Sequence, residues 1–229
     1  MKDNRFISVN INNSISYGGN QGWFSSGTPL ERRISDVGCG VISACDTLLY
    51  LSRQYPDHFG FTDPNLYSYY GVDFCYYSKY IKQFARKYAD PVPFLGMTGF
   101  RLSFGMNRFF SNRKIPLKSK WRFALFNRHF LEEIHSCIEN DVPVILSIPP
   151  RPFFGKGLEM KGAGPARSYD SHAGHFIVAT GVICRGGRPY QLEISSWGKR
   201  FTVDCTRFLS LSRIPPFGIF CGIMSIRSK

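Results

Sequence analysis

Cys39 stands between two glycines in the run Asp36-Val37-Gly38-Cys39-Gly40-Val41-Ile42-Ser43-Ala44, directly ahead of a segment patterned as a helix. A thiol at a helix N-terminus faces unpaired backbone N–H groups and the positive end of the helix dipole, and both favour thiolate over thiol. The flanking glycines let the chain turn tightly and leave the sulfur open to a substrate. Taken alone, a cysteine at a helix start is more often a small buried hydrophobe than a nucleophile, so the case depends on a partner. His175 supplies one in Gly174-His175-Phe176-Ile177-Val178-Ala179, where a loop gives way to an apolar strand. A strand start holds an imidazole rigidly while keeping one nitrogen exposed, as a general base for a thiol requires. His172, in the preceding loop, is the rival; His58, His129 and His135 fall in helical or helix-terminal contexts and read as surface or packed residues.

The elements that must hold these groups follow from hydrophobic spacing. Val41, Ile42, Cys45, Leu48, Leu49 and Leu51 recur at helical intervals and predict a helix over 40–53 with Cys39 at its mouth. A second helix is predicted over 74–88, broken by Asp90-Pro91, and a third over 126–139 with Phe130, Ile134, Cys137 and Ile138 inward. Beyond Asp141 the pattern changes to short apolar runs. A buried strand at 142–148 ends at Pro149-Pro150, residues 151–173 read as loop, and strands are expected at 175–183, 188–195, 199–204 and 217–226. Residues 1–38 read as an irregular, turn-rich leader with its strongest turn at Gly18-Gly19-Asn20-Gln21-Gly22. The Gly- and Arg-rich stretch 93–122 reads as a loop insertion or helical cap. Its mix of Phe100, Arg101, Phe104, Arg108, Phe109, Phe110 and Arg113 suggests a buried aromatic cluster under exposed arginines. Helices first and strands afterwards is the α+β arrangement: one domain over 1–229, with a helical half at about 1–140 and a β half at about 141–229.

A chain of 229 residues with 43% hydrophobic content can bury a proper core. The polar start Met1-Lys2-Asp3-Asn4-Arg5 has no secretory apolar region, and no apolar run reaches spanning length, so no membrane partner is expected. The seven cysteines are scattered, without a C-x-x-C pair or zinc spacing, and read as free thiols of a reducing cytoplasm. A net charge of +13, dense from Arg101 to Arg122, reads as a solvated basic surface or as a docking place for an anionic partner. No helix-turn-helix, zinc-finger or RNA-recognition signature accompanies it.

Cys39 with its helix, a Pro143-Val144-Ile145 strand after a helix, Gly174-His175 with its strand, and Ser195-Ser196-Trp197-Gly198 occur in the order found in papain-like cysteine peptidases. The chain resembles in particular the small bacterial branch related to the leader peptidases of peptide exporters; the region 55–125 lies outside the likeness. The resemblance implies a papain-like fold: an N-terminal helical half carrying the nucleophile helix, packed on a C-terminal twisted antiparallel sheet. It implies Ser195 where the family has the asparagine that accepts a hydrogen bond from the histidine, with Trp197 shielding that bond. Serine is shorter but can accept it. Strand alternation puts Gln191, Glu193 and Ser195 on one face, so Glu193 is the alternative. The oxyanion hole needs a side-chain donor beside the backbone N–H of the nucleophile. The family's usual glutamine, six residues before the cysteine, is Arg33 here. In the small branch it lies further upstream after an aromatic segment, and Ser16-Tyr17-Gly18-Gly19-Asn20-Gln21 is similar, implying Gln21, or else Asn20.

The implied activity is hydrolysis of a peptide or isopeptide bond through a thioester at Cys39, with His175 as general base and then acid, and with no metal or cofactor. The alternatives are acyl transfer on the same residues and a non-catalytic basic binding module. The partner expected is a peptide or protein substrate.

Overall fold

The structure is a computed structural model that describes residues 6–59, 71–94, 96–148, 157–162, 167–169, 174–214, 218 and 221–229. Its N-terminal part is ordered rather than irregular. Val9–Ile11 (β1) and Ser14–Ile15 (β2) form a hairpin turned by Asn12 and Asn13, both in the left-handed region that asparagine tolerates. A 3-10 turn over Gln21–Phe24 leads to Pro29–Val37 (α1). Thr28 and Glu31 form a reciprocal capping box there, with Pro29 at the first turn. That signature is written in the sequence, but α1 buries only Leu30 and Ile34, too little for periodicity to find.

Helix axes turn by 90° at Gly38, and Cys39–Gln54 (α2) begins on Cys39 itself. It is buried from Gly40 through Ser52, as a helix crossed by neighbours on every side must be. Pro56–Phe59 (α3) and Val72–Asp73 (β3, parallel to β1) lead to Phe74–Tyr88 (α4), whose first N–H groups are capped by the Asp73 carboxylate. Gly99–Asn112 (α5) and Leu117–Phe123 (β4) occupy the stretch expected to be an insertion. Phe109 and Phe110 are buried as expected, whereas Phe100 and Phe104 stand in solvent. Phe130–Glu139 (α6) and Val144–Ile148 (β5) precede a small pair, Leu158–Met160 (β6) and Arg167–Tyr169 (β7), in the part read as loop. Then come His175–Arg185 (β8), Arg188–Ser196 (β9), Lys199–Asp204 (β10), Cys205–Ser212 (α7) and Gly222–Ser228 (β11).

The protein is α+β, built on a six-stranded antiparallel sheet in the order β10-β9-β8-β5-β11-β4. Alternation splits its side chains into two cores. Ile145, Phe176, Val178, Met224 and Ile226 face the cluster formed with α2, α4 and α5. Val144, Leu146, Ile177, Ala179, Ile194 and Ile223 face the cluster formed with α6 and α7. Residues 117–123 therefore belong to the sheet as its edge strand, and α6 covers the face opposite α2. Among the described residues no single helix is long and apolar enough to cross a membrane.

Candidate active site

The mouth of α2 meets the first residues of β8 in a small cleft, lined among others by Gln21, Cys39, Asp46, His175, Ser196 and Trp197. The Phe176 N–H, next along the chain from His175, donates to Cys39 Sγ at 3.5 Å. Helix and strand thus present their two candidate reacting groups to one cleft. Cys39 is half-buried. Burial pushes its thiol above the ordinary value of 9.0, although the backbone N–H groups of Phe176, Gly40 and Cys39 pull it down. Burial likewise pushes His175 down from 6.5 to about 4. Both shifts disfavour charge, so the pair at rest is thiol and neutral imidazole. Desolvating a full charge thus works against the pull of the partial helix dipole on the Cys39 thiol.

Ser195 does not orient His175. Its hydroxyl donates to the Tyr17 carbonyl at 2.9 Å. Ser196 Oγ is the atom bonded to His175 Nε2, at 2.9 Å. The register explains the difference: Val178 pairs with Ser195 and Ala179 with Ile194, so Ser195 shares the α2 face while Ser196 shares the face of His175. Glu193 lies on the Ser195 face and its carboxylate is engaged by Arg200. Trp197 and Gly198, both at positive φ, close the two-residue turn between β9 and β10. That turn lays the indole on the imidazole, ring centroids 4.7 Å apart and 16° from parallel. The Ser196 hydrogen bond and the stacked indole both hold the imidazole plane.

Residues 16–21 form a strap across the cleft, tied to the Trp197-Gly198 turn by Tyr17 N–H to the Gly198 carbonyl (2.9 Å) and Gly198 N–H to the Gly19 carbonyl (2.8 Å). The strap passes so close to its neighbours that a Cβ on Gly18 would lie 2.1 Å from Ser195 Oγ on β9 and 2.8 Å from Asp46 Oδ2 on α2, and one on Gly19 would lie 1.7 Å from Tyr77 Oη on α4. Only glycine fits at either position. Gln21 lines the cleft and its Nε2 donates to the Ser35 carbonyl at 2.9 Å. An amide nitrogen carries two hydrogens, so one anchors the side chain and the second remains for a ligand. Asn20 instead caps the following turn, accepting from the Gly22 N–H at 2.9 Å. Arg33 pairs with Asp90 at 3.2 Å.

Asp46, two turns beyond Cys39 on α2, was not foreseen. It accepts from the Gly19 N–H at 2.8 Å and from the Tyr77 hydroxyl at 2.7 Å. Burial raises its carboxyl from 3.8 to about 7 despite both bonds. The i, i+7 spacing from Cys39 was a readable hint that both share one helix face. Ser196 had no such signal, because strand register is not local. His172 lies outside the described residues, as does the side chain of His58; His129 is exposed and His135 pairs with Glu139 at 3.4 Å. Among the described residues no three His, Cys, Asp or Glu side chains gather as a metal site would require.

No protein-family model, curated protein or solved structure matches the chain. The cleft brings together a thiol beside a backbone donor, an imidazole bonded to a serine hydroxyl, and an amide donor.

Proposed function

We propose that this chain is a papain-like cysteine peptidase or amidase, with Cys39 as nucleophile and His175 as general base and then general acid. One observation carries the reading: Cys39 and His175 line the same cleft while Ser196 engages Nε2 and Trp197 covers the ring. With Ser196 Oγ on Nε2 and the ring held in the cleft that Cys39 lines, the imidazole takes the Cys39 proton as the sulfur attacks a carbonyl carbon. The second amide hydrogen of Gln21 and the Cys39 N–H hold the oxyanion. His175 then returns the proton to the leaving amine, and water, deprotonated by His175, hydrolyses the thioester and frees Cys39. All seven cysteines are unpaired, which suits a reducing compartment such as the cytoplasm.

Burial of both groups favours a second reading, a binding module that keeps the cleft without turnover. A fluorogenic peptide library decides between them. Cleavage that is abolished by Cys39→Ala and by His175→Ala supports the peptidase. No cleavage, together with alkylation of Cys39 no faster than that of the other cysteines, leaves the binding module.

A further inference from the structure

Between Pro91 and Leu131 the chain carries eight Lys and Arg residues and no Asp or Glu. Most of the net charge of +13 is therefore concentrated in α5, β4 and their flanks. Arg101, Arg108, Lys118, Lys120 and Arg128 are exposed and form no ion pair among the described residues.

In the same stretch are the most exposed aromatics among the described residues: Phe94 at 100%, Phe126 at 75%, Phe104 at 64% and Phe100 at 56% exposure. Phe100, Arg101, Phe104 and Arg108 follow helical spacing along the outer side of α5. Phe100 continues through Phe123 to Phe126, with ring centroids 5.2 and 6.2 Å apart. Phe94 sits at the tip of a tight turn closed by Val92 and Gly96, at φ +64°, a conformation a bulky residue rarely takes. A fully exposed Phe94 on a turn tip, and half- to three-quarters-exposed phenylalanines along a helix side shared with Arg101 and Arg108, are costly in water and need a covering partner.

We propose that this face lies on an anionic phospholipid surface, with the phenylalanines entering the headgroup boundary and Arg101 and Arg108 meeting lipid phosphates. Charge complementarity names an anion, and the shape selects a bilayer over a nucleic acid. Stacking platforms for bases line a charged groove, whereas Phe94 projects and touches no other ring among the described residues. The expectation of no membrane partner rested on the lack of a spanning segment, which does not bear on a surface that lies on the bilayer. The reading is independent of turnover at Cys39.

The test is co-sedimentation of the full chain with phosphatidylcholine vesicles, either neutral or containing about 30 mol % phosphatidylglycerol, in about 0.15 M salt. Binding to the anionic vesicles alone is expected. Arg101→Gln/Arg108→Gln should weaken it about 25-fold, near fivefold for each charge removed. Phe94→Ser/Phe100→Ser/Phe104→Ser should weaken it at least about tenfold. Because these side chains are exposed, near-ultraviolet circular dichroism of both variants should match the parent. Failure to bind anionic vesicles, or full binding by the phenylalanine variant, overturns the proposal. So does a single-stranded oligonucleotide that binds more tightly than the vesicles at the same salt.

Discussion

Replacing Ser196 with alanine removes a hydroxyl held 2.9 Å from His175 Nε2 and buried from solvent. When Cys39 gives up its proton the imidazole becomes an imidazolium, and a hydrogen bond to a charged group is worth about 1.5–3 kcal/mol. At about 1.4 kcal/mol per tenfold, Cys39 in the variant should be alkylated about 10- to 100-fold more slowly near neutral pH. Ser195→Ala instead removes a neutral bond to the Tyr17 carbonyl. It should cost about 1 kcal/mol of stability and change the alkylation rate by no more than about twofold. The assay is the pseudo-first-order rate of iodoacetamide incorporation at Cys39, followed by peptide mass spectrometry, with urea melts to show that each variant is folded. A Ser196→Ala protein that labels as fast as the parent, or a Ser195→Ala protein that slows as much, would refute the argument from strand parity.

The pH profile of that labelling is a second test: with the thiol raised above 9.0 by burial, the rate should still be climbing beyond pH 9. A plateau reached below neutral pH would mean a preformed thiolate–imidazolium pair. Asp46→Asn should remove a buried acid held near 7 in place of 3.8. A raised acid stabilises the fold while protonated, and that stability is lost as pH rises from about 4 to about 7, by about 1.4 kcal/mol per pH unit and about 4 kcal/mol in all. His175, lowered from 6.5 to about 4, acts in the opposite sense, its contribution being lost as pH falls through that window. The informative quantity is therefore the variant-minus-parent difference in urea melts, which should widen in favour of Asp46→Asn from about pH 4 to 7; a difference flat in pH refutes the assignment. Gly19→Ala drives a methyl to within 1.7 Å of Tyr77 Oη. It should cost about 1–3 kcal/mol, seen as a lower urea midpoint, and an unchanged midpoint would show that the strap can move away from the Tyr77 ring on α4.

Much of the scaffold was legible because the signals are local. The helix at 74–88 is found with the same ends, bounded by the Asp73 cap and Asp90-Pro91, and the strand at 199–204 likewise. The β8 start at His175 was also visible in residue type and spacing. Helix α1 was missed although its capping box is plain, because apolar periodicity was given more weight than cap chemistry. Strand β4 was missed because five of its seven residues, Leu117-Lys118-Ser119-Lys120-Trp121, alternate in a stretch dominated by charge and aromatics. As an edge strand it needs only one partner and one buried face.

The candidate site divides in the same way. Sequence alone determined that a cysteine opens a buried helix and that a histidine opens a strand, since both follow from caps and periodicity within a few residues. Tertiary structure alone decided which serine meets the imidazole. Strand side chains alternate with period two, so the pairing of Val178 with Ser195 hands Ser196 to His175. It alone laid the strap at Gly18-Gly19 over Asp46, joining residues 27 positions apart through the Gly19 N–H. It also set burial against the helix dipole at Cys39, because the dipole follows from local chain geometry, whereas desolvation is set by everything packed around the sulfur.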